Sequence, residues 1–167
     1  MIELIERLID FMEAHQTWAL VLIFIVTFIE CFFIIGLFIP AATILLAVGA
    51  LVGASDLNFL FVSIAAIAGS IIASSISYHI GTKIRPTLRQ RRVYQRHRRL
   101  FLRSKVMLSR YGAKAVFIGR FISPLRPTLS TAAGAFQVNQ LKFEIANVAS
   151  SMIWPMIFLL PGYLIVH

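Results

Sequence analysis

The sequence predicts an all-α integral membrane protein, and two observations lead to this fold class. Of its 167 residues, 59% are hydrophobic, and the mean hydropathy is +0.84. A soluble domain is closer to half apolar, and the helical or strand period disperses its apolar residues. Here they form long blocks that are almost free of charge, at 17–29, 39–52, 59–80 and 145–166. A soluble protein with buried core helices is the alternative interpretation.

Residues 1–14 have the pattern of an amphipathic helix, with apolar residues on one face and mostly charged residues on the other. Such a helix lies at the membrane interface or packs as an ordinary helix on the membrane domain, and the pattern leaves both open.

Two segments are expected to span the bilayer. Residues 57–80 can cross a hydrocarbon core of roughly 30 Å, which takes about 20 residues. Their small residues let neighbouring helices approach closely, which permits a homo-oligomer without requiring one. Residues 141–166 form the second span, in which Pro155 and Pro161 are expected to kink or end the helix.

Two other apolar segments, 17–53 and 113–138, are interrupted, and each is too short for two crossings. We expect each to form a re-entrant helical hairpin that enters and leaves the same side. Non-helical backbone at membrane depth is tolerated only where protein or a water-filled cavity surrounds it. The residues expected to form the breaks are Gly36, Pro40, Pro124, Pro127 and Gly134.

The order of segments is hairpin, span, basic segment, hairpin, span, which predicts an inverted repeat within a single membrane domain, 1–167. Because one span separates the hairpins, they enter from opposite faces and meet near the midplane. Segment order alone carries this inference, since the sequence identity between the halves is weak.

The net charge of +9 is concentrated in residues 82–111. Between Thr82 and Arg110 there are eleven basic residues and no acidic one. In a soluble protein such a run would indicate nucleic acid as the partner. Beside spanning helices it is typical of a cytoplasmic loop near anionic headgroups. We therefore expect this segment to be cytoplasmic, and membrane lipids, not nucleic acid, to be the partners.

Three charged residues lie inside the interrupted segments, namely Glu30, Arg120 and Arg126. Each costs about 2.5–3.5 kcal/mol at the bilayer centre, so such residues usually have a function. If the hairpins meet, Glu30 faces both arginines and the remaining positive charge attracts a phosphate, which arginine binds bidentately. Helix N-termini at the breaks also favour anions. The alternatives are arginines that reach the headgroups and anchor the hairpin, and a structural ion pair at Glu30.

Neither a metal site nor a cofactor is expected. Cys31 is the only cysteine, and the four histidines lack the spacing of metal ligands. Arg126-Pro127 matches a fragment of an acid-phosphatase-like signature, but the rest of it is missing and no nucleophile–histidine pair is evident. We therefore do not expect an enzyme.

The stretch Phe117-Ile-Gly-Arg-Phe-Ile-Ser-Pro-Leu-Arg-Pro, followed by Ala133-Gly134, resembles the signature of the DedA family, also called the VTT-domain or SNARE-associated family. Further features agree in order over roughly 28–163: Gly69, Tyr78, Gly81, Phe143, Asn147, Trp154 and Gly162-Tyr163. The resemblance implies two re-entrant hairpins in a bacterial inner membrane. It also implies undecaprenyl phosphate recycling and maintenance of the proton motive force, while eukaryotic relatives scramble phospholipids. Glu30, Arg120 and Arg126 fall on the family's essential acid and arginine pair.

Two departures from the family pattern concern acids. Pro40-Ala41-Ala42 lacks a second acid, and Ala73-Ser74 stands where many members have Gly-Asp. A proton relay built on several acids is weakened by these changes, whereas a phosphate site on Arg120 and Arg126 is not. We therefore expect a flippase for undecaprenyl phosphate or a related anionic phospholipid. A proton-coupled transporter of a small solute or ion through Glu30 and a structural scaffold are the alternatives.

Overall fold

The computed structural model describes residues 16–32, 41–54, 58–90, 95–96, 98–122 and 125–166. Every regular element in these ranges is helical, which confirms the all-α prediction. The elements are α1 (Gln16–Cys31), α2 (Ala41–Gly53), α3 (Phe59–Ile84), a 3₁₀ helix (Arg85–Gln90), α4 (Arg98–Tyr111), α5 (Lys114–Gly119), α6 (Arg126–Ala135) and α7 (Gln140–Val166). The amphipathic helix predicted at 1–14 and the breaks predicted at Gly36, Pro40 and Pro124 lie outside the described residues.

Two helices in the described ranges are long and apolar enough to cross a membrane, over Phe59–Thr87 and Gln140–Ile165. Pro155 and Pro161 both lie inside α7, which continues to Val166, so the expectation that they could end this helix is wrong. A proline removes one helical hydrogen bond, and in a membrane helix the packed neighbours can compensate for that loss.

The long helix α3 has the distribution of side chains that suits a membrane. Its buried face carries mainly small and hydroxyl residues, among them Ser63, Gly69, Ser70, Ser74, Ser77 and Gly81. Its exposed face carries large apolar residues, among them Leu60, Phe61, Ile64, Ile72 and Ile76. A soluble protein buries the large apolar residues instead. We therefore interpret the outer face as the one that contacts hydrocarbon and the inner face as the one that admits neighbouring helices.

Each long helix is flanked by one short helix from each interrupted segment. The helices α1 and α6 pack on α3, whereas α2 and α5 pack on α7, and α3 and α7 also contact each other. The two interrupted segments therefore share the same pair of long helices, which brings the ends of α1, α5 and α6 to one place.

Glycines allow the short helices to lie close to the long ones. A Cβ atom on Gly134 would overlap the carbonyl oxygen of Tyr78, and one on Gly81 would overlap the carbonyl oxygen of Thr131. Gly134 was expected to break the segment, but it lies within α6, one residue before its end. Its position is explained by the close approach of α6 to α3, not by a break in the backbone.

The basic segment contains an amphipathic helix that packs on the membrane domain. One face of α4 is buried through Phe101, Ser104 and Leu108, and this helix contacts α6. The arginines and the lysine of α4 are exposed, and the helix contains no acidic residue. The apolar face therefore anchors α4 while its positive charges remain accessible.

We expect Gly49→Val to disrupt the crossing of α2 and α7, because a Cβ at Gly49 would overlap the carbonyl oxygen of Leu159. Overpacking of this kind costs about 1–3 kcal/mol. The matched control is Ala47→Val, since Ala47 is exposed on the same helix. Thermal unfolding in detergent should give a lower midpoint for Gly49→Val alone. Equal midpoints for the two variants would contradict the close crossing.

Candidate functional site

All three charged residues singled out in the sequence lie at helix ends beside the interruptions. Glu30 is the penultimate residue of α1, Arg120 directly follows α5, and Arg126 is the first residue of α6. Arg120, Phe121 and Ile122 after α5 and Leu125 before α6 lie in turns or bends. Pro127 lies in the first turn of α6, where a missing backbone N–H costs little.

Glu30 and Arg126 form a buried ion pair that joins the two interrupted segments. The Nη2 atom of Arg126 lies 2.5 Å from Oε1 of Glu30 and also donates to the Glu30 carbonyl oxygen at 3.4 Å. Glu30 is fully buried, and Arg126 is 6% exposed. Removal of one partner from such a pair is expected to cost about 3–5 kcal/mol, because the other charge stays buried and unpaired.

The pair leaves two of its own polar atoms unpartnered. Nε of Arg126 and Oε2 of Glu30 are buried and have no hydrogen-bond partner among the described residues. Nε and Nη2 form one edge of the guanidinium group, so Glu30 occupies only half of a fork that could bind both oxygens of an anion. Unsatisfied buried donors and acceptors are rare, and those that occur require an explanation.

Trp154 covers the guanidinium group of Arg126. The Cζ atom of Arg126 lies 4.0 Å from the centroid of the Trp154 ring, well within cation–π range. Trp154 comes from α7 and is almost fully buried. The indole ring therefore fixes the plane of the guanidinium group.

Arg120 is held in a different way, by neutral oxygens. Nη1 donates to the carbonyl oxygen of Asn147 at 3.0 Å, to Oγ of Ser150 at 3.2 Å and to Oγ of Ser151. Nη2 donates to Oγ of Ser74 at 2.6 Å and to Oδ1 of Asn147 at 3.0 Å. Arg120 thus connects the end of α5 to both long helices, and its two terminal nitrogens are fully engaged.

Glu30 pairs with Arg126 and not with Arg120 in the described part of the chain. The acid linked to Arg120 is Glu144, and the link passes through Asn147. Asn147 accepts from Arg120 through Oδ1 and donates through Nδ2 to Oε2 of Glu144 at 3.2 Å. Oε2 of Glu144 also accepts from Ser75 at 2.9 Å. The two arginines therefore lie in distinct electrostatic surroundings.

Sequence reasoning named Asn147 and Trp154 only as points of agreement with the family, and it did not assign the groups that contact Arg120 and Arg126. Asn147, Ser150, Ser151 and Trp154 follow one another at helical spacing, so they share one face of α7. A polar face on an otherwise apolar spanning helix is the signal that could have found them. Ser74, at which the sequence departs from the family pattern that it resembles, contributes the hydroxyl of α3 that accepts from Arg120.

Comparison with known proteins gives one family. The family model described as the VTT domain matches residues 39–164. The chain is similar to the inner membrane protein YabI of Escherichia coli K12, with 26% identity over 154 residues that cover 92% of this chain and 61% of YabI. It is 34% identical to an uncharacterized membrane protein of Synechocystis over 121 residues, 71% of this chain and 56% of that protein.

A third relative is the inner membrane protein YqjA of Escherichia coli K12. It is 24% identical over 144 residues, which cover 86% of this chain and 66% of YqjA. The chain spans about three fifths of the length of the curated relatives YabI and the Buchnera aphidicola membrane protein that it matches. No solved structure gives a significant match.

We expect Glu30→Met to lower the free energy of unfolding by about 3–5 kcal/mol, because it leaves the Arg126 charge buried without a partner. The double variant Glu30→Met/Arg126→Met should recover much of this loss, since both charges are then removed. Unfolding by titration of a mild detergent with sodium dodecyl sulfate measures these energies. The control is Arg103→Met on the exposed face of α4, which should change stability by less than about 0.5 kcal/mol. Additive losses in the double variant would argue against a direct pair.

Proposed function

We propose that this chain transports a lipid with a phosphate headgroup across the bilayer. The chain belongs to the VTT-domain or DedA family of membrane proteins. Undecaprenyl phosphate is the leading candidate, and a related anionic phospholipid is the next. The observation that carries the proposal is the buried guanidinium group of Arg126. Its Nε has no hydrogen-bond partner in the part of the chain that the structure describes, and one carboxylate oxygen of Glu30 contacts its Nη2.

The geometry of this pair supports recognition of a phosphate. A phosphate oxygen can accept from the free Nε, and a second oxygen can replace Glu30 at Nη2, so that the whole edge is engaged. Glu30 supplies the resting partner that keeps Arg126 paired when no lipid is bound. Because one anion replaces another, the arginine charge stays paired, and water that enters the open state of the transport cycle would solvate the displaced carboxylate of Glu30.

In this proposal Arg126 makes the primary contact and Arg120 has a second role. The terminal nitrogens of Arg120 already have five acceptors, so a phosphate can bind them only by displacing Ser or Asn oxygens. Its charge nevertheless adds to the attraction for an anion, because the oxygens around it are neutral. The chain acts here as a transporter, with no catalytic group assigned.

The path of the lipid follows from an inverted repeat, which we propose for this chain. Several identical residues in the two halves are separated by the same distance along the sequence: Gly53 and Gly134, Asn58 and Asn139, Ser70 and Ser151, and Gly81 and Gly162. Asn58 and Asn139 each accept a hydrogen bond from a backbone N–H in the first turn of a long helix.

The reciprocal packing of short helices on α3 and α7 also supports this repeat. The segments 17–53 and 113–138 would then be re-entrant hairpins from opposite faces, and rocking of one repeat against the other would expose the site alternately.

The relatives YabI and YqjA are inner membrane proteins by name. For this chain we propose a multi-pass arrangement in a bacterial inner membrane with residues 82–110 in the cytoplasm. The positive charge of that segment supports this orientation. The exposed cationic face of α4 would then lie at the anionic cytoplasmic leaflet.

The second candidate function is proton-coupled transport of a small solute or ion. It is favoured by the buried carboxyl of Glu30, since one of its oxygens finds no hydrogen-bond partner among the residues that the structure describes. Protonation of Glu30 would release Arg126, so this carrier would work faster as the pH falls on the side to which Glu30 is open.

We expect Arg126→Ala to abolish translocation of undecaprenyl phosphate while membrane insertion stays intact. Each charge-assisted hydrogen bond from the arginine to the phosphate contributes about 1.5–3 kcal/mol. Its loss should therefore lower the rate of lipid translocation at least 10–100-fold. Proteoliposomes containing labelled undecaprenyl phosphate, phosphatidylglycerol or phosphatidylcholine measure the rate for each lipid. Arg103→Ala is the matched control, because it removes an exposed arginine from α4. Normal transport by folded Arg126→Ala would refute the assignment of the site.

A pH gradient distinguishes the two functions. For the lipid transporter we expect the rate of lipid movement to change by less than about twofold across a gradient of one pH unit, because exchange of Glu30 for phosphate needs no proton. The same proteoliposomes with imposed gradients, for wild type and Glu30→Gln, provide the measurement. A rate that follows the gradient in wild type and loses this dependence in Glu30→Gln would favour the proton-coupled carrier.

A further inference from the structure

The short helix α5 leaves an apolar groove open along α7. The groove has a volume of about 510 Å³. Its walls are formed by residues at the start of α5 and in the first turns of α7: Ala113, Lys114, Phe117, Ile118, Lys142, Ile145, Ala146 and Ala149. All of these residues are exposed or partly exposed. The groove therefore lies on the outer surface, away from the buried Arg126 pair.

Both walls have the spacing of a single helix face. The α5 wall uses Lys114, Phe117 and Ile118, and the α7 wall repeats this spacing from Lys142 through Ile145 and Ala146 to Ala149. The α7 wall is about 10 Å long, which is roughly a third of the hydrocarbon core. A groove of this length and composition accommodates part of an acyl chain.

The two polar residues of the groove are lysines, and both lie at the same end. Lys114 begins α5, and Lys142 lies in the first turn of α7. Arg120, which follows α5, reaches Asn147 and Ser150 further along α7, so the two helices run in the same direction. Neither is in an ion pair within the described ranges. Glu144, the one acid of α7, points toward α3, where it accepts from Ser75. The mouth of the groove is therefore positively charged.

We propose that this groove binds an anionic phospholipid, with an acyl chain along α7 and the phosphate between Lys114 and Lys142. Charge selects this occupant over a zwitterionic lipid, because two cationic groups face the position of the headgroup. A second copy of the chain packed on the same surface would bring its own two lysines against these two. The repulsion between the like charges would disfavour such a dimer. The site does not depend on the proposed transport function, since it uses neither Glu30 nor the arginines of the interior.

A lipid bound in this groove would contact the outer side of the part of α7 whose side chains accept hydrogen bonds from Arg120. Ala149 lines the groove, and the next two residues, Ser150 and Ser151, accept hydrogen bonds from Arg120 on the inner side. Occupancy would therefore support the packing of α5 on α7.

Native mass spectrometry of the purified chain in detergent, titrated with phosphatidylglycerol or with phosphatidylcholine, tests the proposal. We expect one tight site for phosphatidylglycerol. Lys114→Gln/Lys142→Gln should weaken it about 30-fold, from about a 5.5-fold loss for each basic residue near an anionic headgroup. Ala149→Phe should also weaken binding, because the ring fills the groove without changing charge.

The matched control is Arg98→Gln/Arg99→Gln, which removes two exposed charges from α4 and should leave the tight site unchanged. Circular dichroism and gel filtration confirm that each variant is folded. Equal affinity for the two phospholipids would overturn the proposal, as would normal binding by folded Ala149→Phe. A dimer that dissociates on Ala149→Phe would assign the groove to a second copy instead and would equally overturn it.

Discussion

The buried contact between Glu30 and Arg126 is the interaction on which the arrangement of the interrupted segments depends. Neither charge is placed to stabilise its own helix, because Glu30 lies at the negative end of α1 and Arg126 at the positive end of α6. Each is stable in the interior only because the other is there. The pair therefore holds the end of α1 beside the start of α6, and both helices pack on α3.

The two interior arginines illustrate two ways to keep a guanidinium group away from water. Arg120 is surrounded by neutral oxygens from both long helices, and this set of hydrogen bonds fixes the end of α5. Arg126 contacts one carboxylate oxygen and the carbonyl oxygen of Glu30 and the face of Trp154, and its Nε has no acceptor within the described ranges. The arrangement around Arg120 is suited to a structural role, because both terminal nitrogens already donate to acceptors. The second can exchange its partner, which is the property that binding and release of an anion require.

Much of the architecture could be predicted from local patterns, and the misassigned residues show where such patterns fail. Hydropathy identified the two long helices because the apolar content of a segment is a property of that segment alone. Gly134 was assigned to a break, since in a sequence a glycine that bends the chain looks the same as one that admits a neighbouring helix. The role of Asn147 was not assigned and Ser150 and Ser151 were missed, because the three are recognisable as a set only on one face of a helix.

The sequence by itself determined that this is a helical membrane protein with three costly charges in interrupted apolar segments. Those conclusions rest on composition and order along the chain, which no later packing can change. Only the tertiary structure decided that Glu30 pairs with Arg126 while Arg120 binds hydroxyl and amide oxygens. The choice of partner depends on which helix ends meet when α1 and α6 pack on α3, and residues so far apart in the chain leave no local pattern that encodes it.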